Sequence, residues 1–253
     1  MAMGRLVAAM AVAAAAAGAA APAAAQTMSL REHLFGAPSD ERAFSTPNVA
    51  RFQPESGSAF VLDRSGGRQV LLKFESNSEI WALEPTPGPR GDVIYKNDMG
   101  EPVLRATRLG GLTLFTSQRP GGVAAAFAGQ ATFLRPAPVS GPSALLQSFT
   151  QASERAGRFA QHPVTFEAEN VPLAAISLFA DTASVAAQAF SEVASRGARA
   201  QKSLARYSKV RISLGDSPLA SIMGETIEIL VDPDRGIAGR PSSQRIAAAI
   251  GPR

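Results

Sequence analysis

The sequence predicts an α+β protein: an N-terminal antiparallel β meander, closed as a small barrel or folded as a sandwich, followed by a helix-rich α+β unit. Three observations predict it. Between residues 59 and 134, short apolar runs carry a period of two, the repeat of a strand with one buried face. At 136–142 the run Pro-Ala-Pro-Val-Ser-Gly-Pro breaks the pattern, because its prolines suit neither a helix interior nor a central strand. Beyond 142 the apolar period lengthens to that of a helix.

Taken in order, residues 1–25 read as a secretory signal. Arg5 supplies a positive start, residues 6–21 are almost all Ala, Val, Leu, Met and Gly, and Ala23-Ala24-Ala25 offers small side chains for cleavage before Gln26. The stretch is rich in Ala rather than Leu. It falls short of the about 20 strongly apolar residues of a spanning anchor, and no second such stretch is counted. The expected location is the periplasm. Cleavage leaves 253 − 25 = 228 residues and, with Arg5 gone, takes the formal charge from +4 to +3.

Residues 26–57 read as an extended arm, with one short helix at 29–35 capped by Ser29. Residues 58–135 are the β unit, with runs at 60–62, 70–74, 80–84, 92–95, 102–106 and 112–116 and a weaker one near 123–133. Turn residues such as Ser65-Gly66-Gly67 and Asn97-Asp98-Met99-Gly100 lie between them. Residues 84–92, rich in Pro, read as a long stiff loop suited to presentation to a protein partner. The runs are too short for the about 9–11 residues of an outer-membrane strand. Residues 136–142 form the linker, and 143–253 the helical α+β unit. That unit should hold helices at 143–159, 181–207 and 242–250, and strands at 162–169, 209–214 and 226–231.

Composition excludes several chemistries. With no cysteine, disulfides, thiolate metal centres and a lipidated N-terminal Cys are impossible. Two isolated histidines, His33 and His162, make no zinc centre without added carboxylates. Asp232-Pro-Asp-Arg-Gly236 opens like a calcium loop, but Ser243 stands where the twelfth-position acid is required. No P-loop or dinucleotide fingerprint occurs. Leu214-Gly-Asp-Ser-Pro218 approaches the block of GDSL-type esterases. Pro218 replaces Leu, however, and no His follows Ser217 to activate it. Only Lys73, Lys96, Lys202 and Lys209 are lysines, so the high pI reflects an arginine bias rather than a nucleic-acid surface. No metal, cofactor or catalytic residue is assigned.

The binding residues assigned are Arg196, Arg199, Lys202 and Arg206. On a continuous helix their spacing gathers them on one side, and no acid occurs from 196 to 211. Such a stripe reads either as a solvated face near a helix C-terminus or as a surface for an envelope polyanion; a protein partner is the other partner weighed. The expected function is therefore non-catalytic envelope binding or structure. The alternative is an envelope hydrolase using carboxylates or a Ser/His pairing.

The run Gly91-Asp-Val-Ile-Tyr-Lys-Asn-Asp-Met-Gly-Glu-Pro-Val-Leu-Arg-Ala-Thr-Arg-Leu-Gly-Gly-Leu-Thr-Leu-Phe115 resembles a family of uncharacterised exported proteins from alphaproteobacteria. So do Phe60-Val-Leu-Asp-Arg64 and Asp232-Pro-Asp-Arg-Gly-Ile-Ala-Gly-Arg-Pro-Ser242. The resemblance implies a Gram-negative envelope setting and supplies no activity, cofactor or site residue.

Overall fold

The computed structural model describes residues 46–252 apart from 68 and 137; the segments read as a signal (1–25) and as most of an arm lie outside the described residues. Eight antiparallel strands form a closed barrel in sequential order. They are β1 (Val49–Pro54), β2 (Phe60–Asp63), β3 (Val70–Phe74), β4 (Trp81–Pro87), β5 (Val93–Lys96), β6 (Pro102–Ala106), β7 (Leu112–Thr116) and β8 (Arg119–Gln130). Alternation sends Phe60 and Leu62, Val70 and Leu72, and Leu112 and Leu114 to the interior, where all are buried. An aromatic ladder crosses the first four strands. Its rings pair as Phe52–Phe60, Phe60–Phe74 and Phe74–Trp81, with centroids 5.6, 5.9 and 5.6 Å apart. Each such pair contributes about 0.5–1.5 kcal/mol beyond area burial.

Two features of the barrel differ from the sequence reading. The first is β1, which lies within the stretch read as an arm. It buries Ala50, Phe52 and Pro54 in alternation, with Val49 at its start, a short signal for the strand that closes the barrel on β2 and β8. The second is the proline-rich segment. Pro85 and Pro87 belong to β4, opposite Tyr95 and Val93, and only a tight turn remains, closed by Gly88 N donating to Asp92 O at 2.8 Å. Both prolines lie past Leu83, the last residue of β4 paired with β3. On that side there is no ladder for a missing N–H to disrupt.

The second half holds α1 (Pro142–Ala160), β9 (Thr165–Ala168), α2 (Ile176–Ser195), α3 (Ala198–Ser203), β10 (Lys209–Leu214), β11 (Leu219–Met223), β12 (Thr226–Val231) and α4 (Ser243–Ile250). The sheet order is β11-β12-β10-β9. β9, β10 and β12 run parallel and β11 antiparallel. Val210, Ile212, Ile227, Ile229 and Val231 share its buried face with Phe179 and Phe190 of α2. The other face carries Arg211 between Glu167 and Glu228, its register partners, each at 2.9 Å. The mixed α+β class is therefore as the periodicity predicts.

The helix expected over 181–207 is divided. Gly197 takes φ 118° and ends α2, after which α3 and a 3-10 turn (Leu204–Arg206) follow. The apolar segment Leu173–Ser195 has mean hydropathy 1.4, long and apolar enough to cross a membrane, unlike the sequence count of no second such stretch. Most of its apolar window is buried inside the protein, as expected of a core helix apolar nearly all round. Barrel and helical half belong to one compact unit.

Candidate functional site

The two halves meet along a buried polar seam. After β12, Asp232 caps a 3-10 turn (Pro233–Gly239), its side chain accepting from Asp234 N at 3.1 Å. Asp232 N donates to Gly239 O at 2.7 Å and closes the turn. A Cβ at Gly239 would stand 1.8 Å from Asp232 O, so glycine is required by close approach alone. The turn delivers Arg240 into the interface, its side chain 2% exposed. Its Nε donates to Asp181 of α2. Nη1 reaches Glu79 Oε1 and Pro241 O, both at 3.4 Å, and Nη2 donates to Ile80 O at 2.9 Å.

The N-terminus of α4 receives two barrel carboxylates. Ser242 caps the helix, accepting from Arg245 N at 3.1 Å. Asp98, from the β5–β6 turn, accepts from Ser242 N at 2.8 Å and from Ser242 Oγ at 2.7 Å. Glu79, just before β4, accepts from Ser243 N at 3.0 Å. The unpaired N–H groups and positive end of a helix favour this placement of negative charge.

Ser243 Oγ lies 2.5 Å from Glu79 Oε2 and 2.6 Å from Glu192 Oε1. A hydroxyl donates one proton, so two ionised carboxylates cannot both be satisfied by it. Burial pushes the Glu79 carboxyl up from its ordinary value of 4.5, and the Glu192 charge adds to this, while Arg240 and the Ser243 bonds oppose it.

Two clefts adjoin the seam. The larger, 860 Å³, includes Arg240 and Ser242 and is lined by Trp81, Lys96, Asp98, Ser217, Arg235 and Arg245. Arg245 is held there by donation to Asp98 O at 2.9 Å. The smaller, 460 Å³, includes Glu79 and Asp181 and is lined by Lys73, Arg135, Ser148, Arg155, Ser184 and Gln188.

The cations chosen from sequence are all exposed, but they do not share one helix. Arg199 and Lys202 lie on α3, Arg206 ends the following 3-10 turn, and Arg196 precedes Gly197. Arg196 Nη1 donates to Ala247 O at 3.4 Å. The Arg206 guanidinium lies 4.6 Å over the Tyr207 ring and bonds its hydroxyl. Lys209 and Arg211, the next cations, are neutralised by Glu167 and Glu228. The imidazole of His162 faces Pro163 O at 2.8 Å and Leu204 O at 3.5 Å, in a cleft other than the one Ser217 lines. His33 lies outside the described residues.

Glu79, Asp98, Glu192, Arg240 and Ser243 escape the sequence reading because contacts such as Glu79–Ser243 span 164 positions. One signal was present. Asp98, Arg240 and Ser242 all fall inside segments that carry the family resemblance.

A barrel joined to a small α/β layer by a buried Arg–carboxylate seam is the class that fold and site define. The chain matches the family described as Domain of unknown function (DUF4908) over residues 29–250, and belongs to it. No curated protein and no solved structure matches the chain.

Proposed function

We propose that this chain is exported to the periplasm of a Gram-negative cell and acts there as a non-catalytic binding protein for an envelope polyanion. The observation that carries the binding reading is the segment 196–206, which holds four exposed cations and no acid, while the neighbouring Lys209 and Arg211 are already neutralised. Arg199 and Lys202 form its centre, flanked by Arg206 and Arg196. Export rests on the Ala-rich leader with its small-residue cleavage site, and the resemblance to alphaproteobacterial exported proteins agrees with it.

Co-sedimentation with vesicles of anionic phospholipid, or with lipopolysaccharide, tests the binding reading. Binding should weaken steeply as salt rises and vanish when all four cations become Ala. Absence of binding at low salt, or equal binding by the variant, overturns it. Fractionation tests the location. A processed product in the periplasmic fraction is expected, and an intact cytosolic one contradicts export.

One observation favours a second reading, an envelope hydrolase: Glu79 lines a cleft and holds its proton above the ordinary range, as a general acid must. Against it, the carboxyl is 1% exposed and already bonded to Ser243 and Arg240. Loss of a hydrolytic activity in Glu79→Gln, with the fold retained, would decide for that reading.

A further inference from the structure

We propose that the 460 Å³ cleft lined by Lys73, Arg135 and Arg155 is a binding site for a small phosphorylated molecule. Its three cations arrive from three different segments: Lys73 from β3, Arg135 from the connection after β8, and Arg155 from α1. Among the described residues none of them pairs with a carboxylate within 4 Å. The cleft wall does contain two acids, Glu79 and Asp181, but both are taken by the buried Arg240. The charge left for a ligand is therefore positive.

Bringing three like charges to one concave surface costs Coulomb energy unless an anion joins them. Arg155 is already oriented, donating from Nη1 to Ser184 Oγ at 3.3 Å. Two guanidinium forks and an ammonium match a group with several acceptor oxygens and a charge near −2, which describes a phosphate. The volume exceeds what a lone phosphate needs and falls in the range of small-molecule sites, so room remains for an organic or second phosphate group. The site shares no residue with the exposed segment 196–206, and either assignment stands without the other.

Calorimetric titration of the full mature chain with inorganic pyrophosphate, at low ionic strength, tests the site. Saturable binding is expected at low-millimolar concentration or below. Arg155→Gln should weaken it about tenfold, as the loss of one charge-assisted contact implies. A Lys73→Gln/Arg135→Gln/Arg155→Gln variant should abolish it. Gln151→Glu, on an exposed cleft position, should weaken it by adding an acid while removing no cation, which guards against a triple variant that misfolds. Arg199→Gln/Lys202→Gln should bind as the parent does, separating this site from the vesicle-binding surface. Citrate should bind more weakly than pyrophosphate. No binding by the parent, undiminished binding by the folded triple variant or Gln151→Glu, loss in Arg199→Gln/Lys202→Gln, or citrate binding as tightly as pyrophosphate would each overturn the assignment.

Discussion

Replacing Arg240 by Met removes the buried cation of the seam while keeping much of its apolar volume. The parent side chain is 2% exposed and contacts Asp181, Glu79 and Ile80 O. Its loss strands a Glu79 carboxyl that is 1% exposed, an Asp181 carboxylate that is 21% exposed, and a backbone carbonyl. Removing one member of a buried ion pair costs about 3–5 kcal/mol, because the remaining charge is left uncompensated. For a body of about 200 residues each kcal/mol moves Tm by about 2–4 °C, so a fall of about 10 °C is expected. Urea denaturation followed by circular dichroism measures the cost. The deficit should shrink at acidic pH, where the Glu79 carboxyl, already pushed up by burial, takes a proton. It should also shrink when Asp181→Asn is added, a positive coupling in the double-mutant cycle. An Arg240→Met protein within about 1 kcal/mol of the parent at neutral pH would refute the reasoning, since that is the cost of an ordinary substitution.

Three further outcomes follow from the same structure. Glu79 has a folded pKa above its ordinary 4.5, so the folded state holds this proton more tightly than the unfolded chain. Its contribution to stability is full below that ordinary value and is lost as pH rises through the raised one; denaturation across pH should show Glu79→Gln gaining relative to the parent over that interval. Gly239→Ala drives a Cβ to 1.8 Å from Asp232 O and should cost about 3 kcal/mol, whereas Gly197→Ala, with open space at φ +118°, should cost only about 1–2 kcal/mol of backbone strain; thermal denaturation ranks them. Asp98→Ala removes the acceptor of Ser242 N and Oγ and should cost about 1–2 kcal/mol, with faster amide exchange in the first turn of α4.

Local periodicity carries most of the fold. Val70, Leu72 and Phe74 announce β3 because a strand with one buried face must alternate, and the structure buries the first two and packs the third on the core. β11 has no such alternation: in Leu219–Met223 no residue is buried, so an edge strand exposes no hydrophobic period to read. The single long helix fails at Gly197, where the apolar pattern continues but the backbone turns to φ 118°. A period says which face is buried, and it does not say that the axis is straight. The seam is illegible for another reason. Glu79, Asp98 and Arg240 are ordinary polar residues in sequence, and only the docking of barrel on helices pairs all three and buries Glu79 and Arg240.

A cleft with walls from both halves exists only while those halves hold together, and the Arg240 seam is what holds them. Differential scanning calorimetry of the protein measures this. The account predicts one cooperative transition whose calorimetric and van't Hoff enthalpies agree. Two resolved transitions, one for the barrel and one for the helical half, would contradict it.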